Sequence, residues 1–197
     1  PEQERPTDEE LDSYLAYCSE VWDKLLQGIR PYQEAVATPA KIPDMRDDNA
    51  RTALLFKPAA QIALVDGILR AAEAGRLKIA EAIERANHIP NWSMEADLWA
   101  GVIIKPNGAI DAGPEARRRM ATLLVYLIAA DRIDAEVKFT AWKSYNEARG
   151  HDIEAWVKSG GAKTGKLEDL PDPVEGPGFT TADAKAFAEK AGELKAA

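Results

Sequence analysis

The stretch Asp97-Leu-Trp-Ala-Gly-Val-Ile-Ile-Lys-Pro-Asn-Gly-Ala-Ile-Asp-Ala-Gly-Pro-Glu-Ala-Arg-Arg-Arg-Met120, continued by Ala121-Thr-Leu-Leu-Val-Tyr-Leu-Ile-Ala-Ala130, decides the fold. Gly113-Pro114 marks a helix start, because proline fits the first helical position, where its missing N–H would be unpaired anyway. From Met120 onward the helix is apolar almost all round. A helix without a wet face is a buried one, so Met120–Ala129 is the expected central core helix. Its first turn carries Arg117-Arg118-Arg119, although positive charge is disfavoured beside the unpaired N–H groups of a helix N-terminus.

Upstream, Pro58 opens a helix through Ile62, Val65, Ile68 and Leu69 that Gly75 closes. A further helix from about Leu77 to Asn87 presents Ile79, Ala82, Ile83 and Ala86 on one face. Thr7-Asp-Glu-Glu10 is a capping box. The apolar stripe behind it, Leu11, Tyr14, Leu15, Cys18, Val21, Trp22, Leu25, Leu26 and Ile29, predicts a helix of about six turns. Pro31 ends or kinks it, and Cys18 inside the stripe is expected to be buried. Residues 36–50, with Pro39, Pro43 and Asp44-Met-Arg-Asp-Asp-Asn49, form a connection with turn chemistry. Downstream of the core helix, Asp134 starts a helix running to Gly150, followed by a short helix over 152–158 that contains Trp156. Glycine, proline and charge dominate Ser159–Gly178, from Gly160-Gly161 and Gly165 to Gly176-Pro-Gly178, as in a linker or an ordered meander. Thr180 or Thr181 then caps a last helix whose apolar content is thin: Phe179, Phe187 and Leu194.

The fold class is therefore mainly α. A single helical domain over 1–158 holds at most one short β-hairpin, around Asn107-Gly108. A Gly/Pro-rich segment and a C-terminal helix fill 159–197. The 197 residues suffice for one domain with a real core. The chain opens on Pro1 rather than Met, which reads as a fragment of a larger protein. No apolar run approaches the ~20 residues that span a bilayer, no signal peptide opens the chain, and the lone Cys18 forms no internal disulfide. A cytoplasmic protein without membrane contact is expected.

Net charge is −8. Residues 1–30 hold eight acids and three bases, residues 168–197 seven acids and three bases, and the middle sits at +1. Bulk nucleic-acid binding is disfavoured, and a DNA contact needs a local patch in the middle of the chain. His88 and His151 have no second ligand at metal spacing. Phosphate-loop, nucleophile-elbow and His-Glu-x-x-His motifs are absent. No catalytic residue, metal or cofactor is expected, and the chain does not read as an enzyme.

Two local features remain. The loop Lys105–Gly113 feeds the helix start that carries Arg117, Arg118 and Arg119. Together these four cations can clasp a phosphate, or the arginines fan out and pair with Glu115, Asp111 and other acids. Trp92 and Trp99 either plug the helix ends or form a partner surface.

Two blocks resemble one family. Asn49-Ala-Arg-Thr-Ala-Leu-Leu-Phe-Lys-Pro-Ala-Ala-Gln-Ile-Ala-Leu64 looks like the block preceding a helix in DndB-type DNA sulfur modification regulators, the DGQHR-domain group. Asp97–Gly108, with the Arg-rich turn and Leu123-Leu-Val-Tyr-Leu127, is similar to that group's later block, a Trp-rich turn followed by a Tyr-Leu helix. The match covers about residues 49–130. It implies a cytoplasmic, DNA-associated transcriptional repressor of the DNA phosphorothioation genes, with other regulator chains or modification-system proteins as partners. The Asp-Gly-Gln-His-Arg motif that names the group does not occur in this chain, so the likeness is to the helical C-terminal part. The alternative is a helical protein–protein interaction or dimerisation module, a homo-oligomer included, that makes no DNA contact. Arginines converging with Lys105 favour the first reading; paired arginines beside an exposed apolar patch favour the second.

Overall fold

The computed structural model describes residues 5–161 and 167–192. Within them nine α-helices follow one another: α1 (Asp8–Gly28), α2 (Arg30–Ala37), α3 (Ile42–Arg46), α4 (Pro58–Gly75), α5 (Ile79–Ala86), α6 (Pro114–Ala129), α7 (Ala135–Ala148), α8 (Ile153–Lys158) and α9 (Thr181–Lys190). Short 3₁₀ turns at Pro39–Lys41, Ala53–Phe56 and Asp97–Trp99 connect them. The described residues form no strand. Around Asn107-Gly108 the turn is present, but only two isolated bridges form, Ala100 with Ile104 and Ile104 with Ile110.

The expected core helix is the core helix. Pro114 opens α6 and every residue from Leu123 to Ala129 is buried, as its apolar circumference requires. α4 and α6 share the most extensive contact in the molecule, α7 packs on another side of α6, and α5 reaches both α4 and α6. Pro58 and Gly75 bound α4. The left-handed turn after it is taken by Arg76, at φ 51°. Gly75 serves close packing instead, since a Cβ there would lie 2.9 Å from that of Ala129.

The C-terminal half of α1 is anchored. Val21 and Leu25 are buried, and Asn87 holds the end of the helix by donating to the Gly28 carbonyl at 2.9 Å and accepting from the Arg30 N–H at 3.0 Å. The N-terminal half is not. Every residue from Arg5 to Glu20 is exposed, and Leu11, Tyr14, Leu15 and Trp22 are 41%, 60%, 67% and 42% accessible. The expected burial of Cys18 is thus overturned: the thiol is exposed, because the stripe runs on past the edge of the globule. The 36–50 connection is not mere turn, since it contains α3 and buries Met45.

The Gly/Pro-rich segment, where described, is an ordered meander lying on the core. Leu167, Leu170 and Phe179 are buried. The Val174 N–H donates to the Leu127 carbonyl at 2.9 Å, and the Phe179 N–H to the Tyr126 hydroxyl at 3.0 Å. Thr180, with Asp183, caps α9, which docks through the buried Ala184 and Ala188 and through Phe187, whose ring lies 4.9 Å from that of Phe139. Gly165 and Leu194 lie outside the described residues.

Candidate functional site

The three arginines enter from the first turns of α6, where successive residues point about 100° apart, and they part company. Arg118 is exposed and ion-paired with Glu115. Arg119 is half-buried; its Nε donates to the Val102 carbonyl at 3.4 Å, and its guanidinium stands 3.8 Å from Asp111. Arg117 turns elsewhere, with a buried Nε that has no hydrogen-bond partner among the described residues. Lys105 sits exposed on the Asn107-Gly108 turn, its carbonyl accepting from the Gly108 N–H at 2.9 Å. The expected four-cation clasp is therefore not assembled. Only Arg118 and Arg119 face a common space.

That space is a groove of about 750 Å³ bounded by α4, α6, α7 and α9. Two cations that sequence reasoning missed complete it. Arg70 on α4 reaches Thr122 Oγ1 at 3.3 Å and Asp66 at 3.5 Å, and Lys143 on α7 lies 3.8 Å from Glu147. Three carboxylates, Glu115, Glu136 and Glu147, line the same groove. With Asp66 beside Arg70, Asp111 beside Arg119, Glu115 beside Arg118 and Glu147 beside Lys143, each of the four cations already has an acid within 4 Å. No local signal marks Arg70 and Lys143 as companions of the arginine run, because each pairs with an acid four residues away on its own helix and is brought in only by the packing of α4 and α7 on α6.

The two tryptophans are packing residues, which overturns the partner-surface expectation. Trp92 and Trp99 are buried and stack on each other, centroids 4.9 Å apart at 23°. The Trp99 indole N–H donates to the Asn91 carbonyl at 2.8 Å, so the polar edge of the ring is satisfied inside.

A second charged cluster, also unseen in the sequence, is structural. Arg85, with a side chain only 6% exposed, holds Asp131 at 2.5 Å, Glu175 at 3.0 Å and Glu81 at 3.1 Å. Its Nη1 also donates to the Ile128 carbonyl at 3.1 Å. Burial by itself would raise the Asp131 carboxyl, but hydrogen bonds from Arg85 and Arg132 hold it below its ordinary value. The cluster ties α5, the end of α6 and the C-terminal meander together. His88 is exposed beside Glu84, 3.3 Å away. Among the described residues no group of three His, Cys, Asp or Glu side chains is placed to hold a metal ion, and no helix is long and apolar enough to cross a membrane. Comparison with protein-family models, with curated proteins and with solved structures gives no match to this chain.

Proposed function

We propose that the chain is the helical part of a DNA-associated regulator of the DNA sulfur-modification type, a repressor of phosphorothioation genes. In this reading the DNA phosphate is met in the groove framed by Arg70, Arg118, Arg119 and Lys143 rather than by Lys105 and Arg117. The resemblance of residues 49–130 supplies the system. The observation that carries the contact is the arrival of four cations from three helices at one open groove, since guanidinium groups suit bidentate phosphate contact.

The test is a fluorescence titration of the protein with a short labelled duplex at two salt concentrations. Wild type should bind and weaken with salt. Arg70/Arg118/Arg119→Ala should lose affinity, its salt slope falling by about one for each phosphate contact removed, while Lys105→Ala should behave as wild type. Absence of binding at low salt removes DNA contact from this chain.

A second reading is favoured by a different observation. The arginines of α6 are engaged by Glu115 and Asp111, and a large apolar surface stands exposed on α1. That combination supports a protein–protein docking module without DNA contact, because exposed apolar patches of this kind are what association surfaces are made of.

A further inference from the structure

α9 is thinly held. It packs on α7 and buries only Ala184 and Ala188, with Phe187 half-buried against Phe139. A helix of 10 residues is marginal alone in water, so docking is what orders it. Docking also carries a cost, because the Thr181 hydroxyl is buried without a hydrogen-bond partner among the described residues. The chain leading into α9 is fixed independently. The Phe179 carbonyl accepts from the Leu170 N–H at 3.0 Å, and the Phe179 N–H donates to the Tyr126 hydroxyl at 3.0 Å. A firm pivot and a weak seat make α9 a locally opening segment.

α9 is also a wall. On one side of it lies the cationic groove, and on the other a second groove of about 760 Å³ bordered by Ala135, Lys138, Pro177 and Asp183. Phe187 and Ala191 border both. Around α7, helical spacing sets Lys138 and Lys143 about 140° apart with Phe139 between them, so the two lysines flank the strip that α9 covers. Lys138 is engaged by α9 in this state: hydrogen bonds from Thr180 hold the Asp183 carboxyl below its ordinary value, and the charge of Lys138 adds to the effect.

We infer that α9 is an autoinhibitory plug. Its undocking joins the two grooves into one trough along α7, in which a nucleic-acid backbone is met by Lys138 as well as by the four cations of the first groove. The inference rests on the DNA reading above and adds the regulation of that same site. α9 carries two acids and two bases, so it blocks by bulk and not by charge. A helix with its side chains is about 10–12 Å across, and that is the width its departure adds.

The test pairs titration of a short labelled duplex with hydrogen exchange, both on the full chain. Ala188→Asp puts a charge at the buried seam and Phe187→Ala removes the ring contact. Either undocks α9 and leaves the groove cations in place, and the second serves if the first does not fold. Minor open states are populated at about 0.1–10%, and apparent affinity is reduced by that fraction. The variants should therefore bind at least about tenfold more tightly than wild type. Adding Lys138→Ala to the undocked variant should lower its salt slope by about one. In wild type, saturating duplex should speed the exchange of α9 amides while slowing that of α7.

Affinity that is unchanged or weakened in a variant whose α9 amides exchange freely overturns the inference and leaves the DNA reading standing. Slower exchange of α9 on duplex binding to wild type does the same, since the helix would then be clamped rather than released. An undocked variant indifferent to Lys138→Ala also overturns it, because the trough has then not formed. Absence of binding at low salt, by wild type and variants alike, takes the DNA reading down and the plug with it.

Discussion

Gly101 offers the sharpest single test of how the turn of Asp97–Gly108 is built into the helical frame. Its φ is +72°, and a Cβ placed on it would lie 2.4 Å from the carbonyl oxygen of Ala148, the last residue of α7. That is a full ångström short of ordinary contact, and the obstacle is backbone. Gly101→Ala therefore carries two separable costs. The left-handed conformation costs a residue with a Cβ about 1–2 kcal/mol, and forcing extra volume against a fixed carbonyl costs a further ~1–3 kcal/mol. Gly108 provides the control: it is also left-handed, at φ +80°, but nothing lies within 4 Å of its Cβ position. Gly108→Ala should show the conformational cost alone. Urea unfolding followed by tryptophan fluorescence measures both, since the Trp92–Trp99 stack lies a few residues away. The expected order is wild type, Gly108→Ala, then Gly101→Ala, the last destabilised by about 2–5 kcal/mol. Equal effects of the two variants would refute the close approach of this turn to α7.

Asn146 is fully buried, donating to the carbonyls of Trp142 at 3.1 Å and Glu168 at 3.0 Å and accepting from the Glu168 N–H at 2.9 Å. Asn146→Asp turns a carboxylate oxygen toward two carbonyls, so it should cost about 3–5 kcal/mol at neutral pH, as an uncompensated buried charge does. Burial raises the folded pKa of the new carboxyl, so the deficit should be least in acid and grow as pH rises through that value. A pH-independent deficit in chemical denaturation would show that the carboxylate has found a cation, the free Nη1 of Arg149 being the candidate. Asp131 has the opposite sign. Its carboxyl is held below 3.8, so the stability it confers is complete above that pH and is lost as pH falls through the lower folded value. Asp131→Asn should cost about 1.5–3 kcal/mol at pH 7, the worth of hydrogen bonds to a charged group, with the gap from wild type closing in acid unfolding titrations.

The helical frame was legible because it depends on local signals. Gly113-Pro114, the all-round apolar run after it, the Pro58–Gly75 bracket and the two threonine caps each act within a few residues. What was not legible depends on what stands across the gap. The period of the α1 stripe is the same whether its partner is the protomer's own core or nothing in the protomer, so Cys18 within it was expected to be buried. Arg85 meets Asp131 and Glu175 from far along the chain, and Asn146 meets Glu168 in the Gly/Pro-rich segment that composition alone left open between linker and meander. At the groove, sequence proximity suggested Lys105 and Arg117 as companions of Arg118 and Arg119. Three-dimensional packing chose Arg70 and Lys143 instead.

The meander laid over α6 also sets a clock for synthesis. The Tyr126 hydroxyl waits for the Phe179 N–H, 53 residues later in the chain. At about 5–20 residues per second that is a delay of roughly 3–10 s, during which the central core helix is made but not yet covered on that side. Nascent chains should therefore be most vulnerable to aggregation, and most dependent on chaperones, between the emergence of α6 and that of Phe179. A substitution that weakens the Tyr126–Phe179 clasp would then lower yield in the cell by more than its effect on the finished fold.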